Sequence, residues 1–378
     1  MTLRIDITGL PAERMLFAAS PLAELASMLH ALASTDHHPE LAPWAAGVRT
    51  MLPPELTERL QEAEFLWRSS RADFLVPARP RPTLVAELDD VDRIDDEAYV
   101  ASALITTCGS NRLTFPGPAG SAGSPGSAGP APAERSPLAD PAARERALDL
   151  AQARGSAQEA FAERLLADPA GVRSRVRQTL EWCAEAFFDA AWPTVLPQLT
   201  TDIRHKTDLR ERQGLGAALA AVSSMVRLEP DSTAIVLDKL QDNSTSGRDA
   251  GVTFLPSVYG HPHLVAVHAA GWRPVVQYPV ARASAPQAVS LEMMQLRLEA
   301  LAHPVRLRLV RTLARGPHTT GELAHAWDLT PPEVSRHLAA LRRAGLLTAE
   351  RQGRYVHYRL DLSATTTLGA DLLAAVLR

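Results

Sequence analysis

The sequence predicts a mainly α protein with small β elements, an α+β chain. Three observations carry that prediction. Apolar residues recur at helical spacing over most of the first two thirds of the chain. Four short β-rich runs follow between Ser232 and Tyr278. Beyond Ser290 two helix-capping signatures precede an alternating hairpin pattern.

Composition bounds the reading. The chain has 378 residues, 46% of them hydrophobic, enough to bury a core in two or three domains. Its two cysteines, Cys108 and Cys183, stand far apart, which excludes a disulfide framework and a cysteine-rich zinc module. The start MTLRIDITGLPAERM has no apolar stretch after a basic one. No apolar run reaches the ~18 residues of a membrane span. A cytoplasmic protein is expected. The net charge of -4 is unevenly spread: residues 1–290 carry -8, residues 291–361 carry +4, and the last 17 balance. A basic module attached to an acidic region fits a nucleic-acid partner.

Taken in order, Thr2–Thr8 alternates and predicts a strand. From Ala12 to Val76 the pattern is helical, with Leu22, Leu25, Met28, Leu29 and Leu32 on one face. Leu52-Pro-Pro opens another helix, and Phe17, Trp44, Phe65 and Trp67 are expected in the core. The acidic run Glu87–Glu97 is expected to be a solvated face or loop. Pro116–Ala133 holds only Pro, Gly, Ala and Ser and predicts a flexible linker. Helices are expected from Ala143 to Ala191, with Val172, Val176, Leu180, Cys183 and Phe187 on one stripe, and again from Asp202 to Ser224. Ser232–Leu237, Val252–Leu255, Leu264–His268 and Pro274–Tyr278 suggest one small closing sheet. The expected organisation is therefore 1–115 helical, 116–142 linker, 143–283 helices plus sheet as an effector or dimerisation domain, 291–361 a DNA-binding domain, and 362–378 a terminal helix.

Chemistry-bearing motifs are few. No GxSxG, GxxxxGK[ST], HExxH or strand-linked GxGxxG occurs. His261, His263 and His268 invite a metal reading, but no carboxylate or cysteine joins them locally, so a solvated loop is expected. His37-His38 reads as a loop pair. No catalytic residue, metal or cofactor is assigned.

The block from Leu291 is more specific. LEMMQLRLEALAH and, after Pro304, VRLRLVRTLARGP form two helices, the second expected to bury Leu307, Val310 and Leu313/Ala314. Thr319/Glu322 and Thr330/Glu333 each have capping-box spacing. They open two short helices across a tight turn at Asp328-Leu329, the spacing of a helix-turn-helix. In the second helix Val334, Leu338 and Leu341 lie within about 60° of each other and form the core stripe. Pro332, Ser335, Arg336, Ala339 and Arg343 point away, with His337 and Arg342 on the flanks. Small residues interleaved with arginine suit a groove-facing helix. Leu346–Arg351 and Arg354–Leu360 then read as a hairpin with Val356, Tyr358 and Leu360 inward and Arg351 and Arg354 at its tip, a basic wing.

These motifs, HPVRLRLV, GELA, VSRHLAALRRAGLL and GRYVHYRL, resemble the winged helix-turn-helix of ArsR-type transcriptional regulators over about residues 291–361. The resemblance implies a homodimer on double-stranded operator DNA, usually a repressor released by an effector. It places base reading at Ser335, Arg336 and His337. The expected DNA-contacting set is these three with Arg342, Arg343, Arg351, Arg354, Thr319 and Thr330. Two departures matter. Pro331 and Pro332 stand where such regulators carry polar contacts, and Glu322–Trp327 has no thiol, so a thiolate-bound metal effector is not expected. Residues 1–280 resemble, at LPSVYG and WRPVVQYP, the extension found in a group of actinobacterial ArsR-like regulators, which implies no ligand. Two other readings stand beside this one: a winged helix used for protein contact, which would lack groove-facing arginines, and an enzyme in 1–280 with a DNA-binding tail, which would need a pocket of convergent acids or histidines.

Overall fold

The computed structural model describes residues 2–68, 71–108, 136–238, 243–268, 272–280, 289–352 and 355–377. The chain divides into two compact units, Met1–Ala283 and Ser284–Arg378. The α+β class is observed. Pro116–Ala133 and Arg354 lie outside the described residues.

Unit 1 opens with strands β1 (Thr2–Asp6) and β2 (Met15–Phe17). Helices α1 (Pro21–Ala33), α2 (Ala42–Met51), α3 (Pro54–Ala63), α4 (Leu84–Asp92) and α5 (Asp96–Cys108) follow. Then come α6 (Pro141–Gln152), α7 (Ser156–Ala167) and α8 (Pro169–Cys183). A π-helical turn, Ala184–Phe188, leads into α9 (Asp189–Gln213) and α10 (Leu215–Val222). Strands β3 (Val226–Leu228), β4 (Ala234–Asp238), β5 (Asn243–Ser246), β6 (Val252–Ser257), β7 (Val265–Val267) and β8 (Val275–Pro279) complete it.

The five leucine and methionine positions of α1 are all buried, but so is nearly every other residue of that helix, because α1 runs between the helical core and a sheet. Val176, Leu180, Cys183 and Phe187 are buried as the stripe requires. Burial pushes the Cys108 and Cys183 thiols up to about 12, so both are small core groups. Phe17, Phe65 and Trp67 are buried and Trp44 packs at the core edge.

Four expectations change. Residues after Ala12 form a 3₁₀ turn and then β2, because Met15–Phe17 pairs in parallel with Val252–Phe254. The expected single sheet is two four-stranded sheets, ordered β3-β4-β1-β5 and β2-β6-β8-β7. The helix expected from Asp202 to Ser224 begins at Asp189 and breaks at Gly214, whose φ of 87° lies in the left-handed region. Glu87 is not solvated. It is 1% exposed, and its carboxylate accepts hydrogen bonds from Ser20 Oγ (3.0 Å), Leu22 N (2.7 Å) and Arg81 N (3.0 Å). It thereby caps the start of α1, where a helix leaves N–H groups without partners. The rest of the run does pair at the surface, Asp89 and Asp92 with Arg177 and Asp90 with Arg81 and Arg93.

One buried polar link ties α9 to the second sheet. Lys206 Nζ pairs with Asp202, whose other oxygen accepts from Tyr278 OH at 2.7 Å. All three residues are under a tenth exposed.

Unit 2 contains α11 (Leu291–Ala302), α12 (Pro304–Leu313), β9 (His318–Thr319), α13 (Thr320–Trp327), α14 (Pro331–Arg343), β10 (Leu347–Gln352), β11 (Tyr355–Leu360), α15 (Leu362–Thr366) and α16 (Leu368–Leu377). Its three-stranded sheet is ordered β10-β11-β9. Among the described residues no helix is long and apolar enough to cross a membrane.

Candidate nucleic-acid interface

The helix pair is built by its caps. Thr319 N donates to Glu322 Oε2 at 2.7 Å while Glu322 N donates back to Thr319 Oγ1 at 3.3 Å. At the next helix Thr330 N and Oγ1 donate to Glu333 Oε2 at 2.9 and 2.7 Å. These bonds hold the Glu322 and Glu333 carboxyls below their ordinary range. Between the helices Asp328 adopts a left-handed φ of 52° and Leu329 N reaches back to Ala324 O, so the turn falls where the sequence puts it. Pro331 and Pro332 fill the first turn of α14, where proline costs no helical hydrogen bond.

The core then sets which face is free. Val334, Leu338 and Leu341 are fully buried with Leu309, Leu313, Leu323 and Leu346. Trp327 is half-buried and donates from Nε1 to Thr312 Oγ1 at 3.0 Å. In α12 the buried pair is Leu309 and Leu313, whereas Leu307 is 49% exposed and Ala314 is exposed, contrary to the expected stripe. Leu309 and Leu313 share a face at i, i+4 spacing with Val305, and Leu307 falls on the other side. Arg297 anchors the end of α14 from below: it is buried, pairs with Asp371 at 2.8 Å and points Nε at Ala344 O.

Ser335, Arg336, Ala339, Arg342 and Arg343 are exposed. Among the described residues none of the three arginines makes an ion pair. His337 is half-buried with its ring 4.8 Å from His303, and burial first, then the nearby cations, lowers its pKa. Thr330 is exposed and Thr319 half-buried, both with hydroxyls engaged by their caps. In the hairpin, Arg351 is exposed and pairs across the strands with Val356. Tyr358 and Leu360 face the core as expected; Val356, one pair from the end of the hairpin, is 38% exposed. The outward surface of α14 is thus two small residues and three unpaired cations.

Residues 1–284, three quarters of the chain, match a family described as "Family of unknown function (DUF5937)". The chain belongs to that family. Residues 301–350 of this DUF5937 protein match the helix-turn-helix domain family. Over 63 residues the chain is 43% identical to the biofilm growth-associated repressor of Agrobacterium fabrum, covering 17% of this chain and 54% of that protein. Over 77 residues it is 46% identical to the arsenic resistance transcriptional regulator ArsR1 of Pseudomonas putida, covering 20% and 60%. The chain therefore spans little more than half the length of these curated relatives. An ArsR family transcriptional regulator of known structure is 30% identical over 23% of this chain and 89% of its own, with a TM-score of 0.21. The transcriptional repressor BigR from Xylella fastidiosa is 34% identical over 21% and 82%, with a TM-score of 0.19. The C-terminal domain of the DUF5937 chain is a helix-turn-helix domain, similar in sequence to that of these repressors.

Proposed function

We propose that the protein is a sequence-specific transcriptional regulator, a repressor, that binds operator DNA as a homodimer. The observation that carries this is the outward face of α14, which is small residues and unpaired arginines with its acidic residue held in the cap. In this reading α14 lies in the major groove. Ser335 and Arg336 meet base edges, and Arg342 and Arg343 meet phosphates. Arg351 and Arg354 bring the wing to the backbone. His337, packed on His303, supports the helix from its flank and reads bases less than its two neighbours. Pro331 and Pro332 have no N–H to offer a phosphate, so the start of α14 contributes through Thr330 and its cap. Thr319 holds the equivalent place on α13.

A second copy has an apolar surface to meet. Leu291 and Leu298 on α11, Leu362 on α15 and Leu373 and Val376 on α16 are all exposed. Two-fold pairing through such a surface would present two α14 helices to two half-sites. Within unit 1, an apolar cleft of about 330 Å³ between α3, α7 and α8, lined by Arg59, Phe161, Val172 and Val176, is a candidate effector site.

The test is selection from a library of upstream DNA, read by fluorescence anisotropy over a salt series, for wild type and Arg336→Ala/Arg343→Ala. Enrichment of an inverted repeat by wild type and its loss in the variant is expected. Equal, weak, sequence-blind binding by both would overturn the proposal.

A further inference from the structure

Four histidines from three separate parts of unit 1 meet beside α1. His30, on the third turn of α1, is 5% exposed. Its Nδ1 lies 2.9 Å from the carbonyl oxygen of Trp67. A carbonyl only accepts, so Nδ1 carries the proton and Nε2 keeps its lone pair. That Nε2 lies 3.0 Å from Nε2 of His263, 233 positions along the chain. His37 comes from the 3₁₀ turn Thr35–His37. One ligand nitrogen from each of His30, His37 and His263 falls within 4.8 Å of the others. His38 completes the group, its ring 5.0 Å from that of His30 and 5.1 Å from that of His263.

The local structure holds this arrangement firmly. His263 sits in the loop after β6, and its N–H donates to Gly260 O at 2.7 Å. A side chain at Gly260 would meet Ser257 Oγ at 2.9 Å, so the bend needs glycine. Glu24 of α1 accepts from Val258 N and Tyr259 N at 2.9 and 3.1 Å, and Gln277 of β8 donates to Ala23 O and Ser27 Oγ. Arg71, a buried cation, is held by Gln277 and is opposed by the Glu24 carboxylate.

Among His30, His37 and His263, His37 Nδ1 is buried and has no hydrogen-bond partner among the described residues. Unpartnered buried polar atoms are rare and cost about 1–3 kcal/mol each. A cation that takes imidazole lone pairs would account for the cluster. Two nitrogens on one tetrahedral zinc ion lie about 3.3 Å apart, given bonds of about 2.0–2.1 Å. The His30–His263 pair is already near that spacing. The longest separation in the trio has to close by about 1.5 Å, and His37, half-buried on a short turn, is the ligand free to do it. The carbonyl behind His30 Nδ1 is the support that metal-bound histidines commonly have. A cleft of about 380 Å³ lined by Thr35, His37, Glu64 and Arg68 gives solvent access.

We infer that His30, His37 and His263 bind one divalent transition-metal ion, with His38 packed against them to close its fourth side. An all-imidazole set selects zinc, cobalt, nickel or copper over magnesium or calcium, which prefer oxygen. This site stands apart from the DNA-binding reading, and its test does not use DNA.

Full-length protein is stripped with chelator, dialysed, and titrated with Co²⁺ followed by visible absorption and with Zn²⁺ followed by calorimetry. The expected result is one equivalent per chain, a ligand-field band, and a thermal midpoint raised by Zn²⁺. His37→Gln/His263→Gln is expected to weaken binding about 100-fold or more, and the exposed His205→Gln to leave it unchanged. His37→Gln alone, on the half-buried turn, should cost about tenfold and serves if the double variant does not fold. The inference is overturned if wild type takes up no stoichiometric metal, the His30–His263 contact then being a plain hydrogen bond. It is equally overturned if the folded variants bind as tightly as wild type.

Discussion

Replacing Asp202 by asparagine removes the charge that offsets Lys206 inside unit 1. The two side chains are 5% and 3% exposed, so neither charge is hydrated in the folded state. Stranding one member of such a pair costs about 3–5 kcal/mol. The asparagine carbonyl still accepts from Tyr278 OH, so the 2.7 Å bond to β8 is kept and the loss is electrostatic. For a unit of this size about 1 kcal/mol moves the midpoint by ~2–4 °C, so Asp202→Asn should lower it by ~10 °C. Adding Lys206→Met removes the stranded ammonium and should recover at least about 2 kcal/mol of that loss, a coupling within the usual range for contacting residues. Thermal unfolding followed by tryptophan emission suits the test, since five of the six tryptophans precede residue 284. If Asp202→Asn melts within ~2 °C of wild type, or the double variant melts no higher than the single one, the pair is not held out of water as described.

Glu87 makes stability depend on pH. Burial, only partly countered by its hydrogen bonds, raises its carboxyl to about 7. A raised acid contributes stability below its unfolded value near 4.5 and loses it as pH rises through 7. Denaturant midpoints of wild type should fall between pH 5 and 8, and Glu87→Gln should flatten that fall; parallel profiles would count against it. Arg342→Ala should reduce the slope of log affinity against log salt by ~0.9 per chain and weaken operator and random DNA alike, whereas Arg336→Ala should cost about 1–3 kcal/mol on the operator. An unchanged slope for Arg342→Ala would place that side chain off the backbone. Leu338→Ala, at a fully buried core position of α14, should destabilise unit 2 by about 2–5 kcal/mol in chemical denaturation; a loss under about 1 kcal/mol would contradict its place in the core.

The C-terminal unit was legible because its signals are local. Both capping boxes, the Asp328 turn and the Val334/Leu338/Leu341 stripe depend on neighbours within one or two helical turns. Leu307 misled because α12 carries two apolar rows, and periodicity does not say which one meets a partner. Unit 1 was legible element by element, less so as an assembly. Strands at Ala234, Val252 and Val275 were foreseen, but their division into two sheets rests on pairing with β1 and β2 from the far end of the chain. Glu87 looked like one acid in a surface run until α1 was seen to need its carboxylate. The histidines show the same limit most sharply, since His37-His38 and His261–His268 gave no sign of meeting His30.

The position of β1 sets a timetable for synthesis. It is an interior strand, flanked by β4 and β5, yet it is made long before either of them. At about 5–20 residues per second, some 10–50 seconds pass before Ala234–Asp238 is translated. Until then Leu3, Ile5 and Ile7 have no sheet to enter, and a nascent chain must keep that apolar strand from others. Chaperone contact would act in this interval, and folding of unit 1 should be slow for its size.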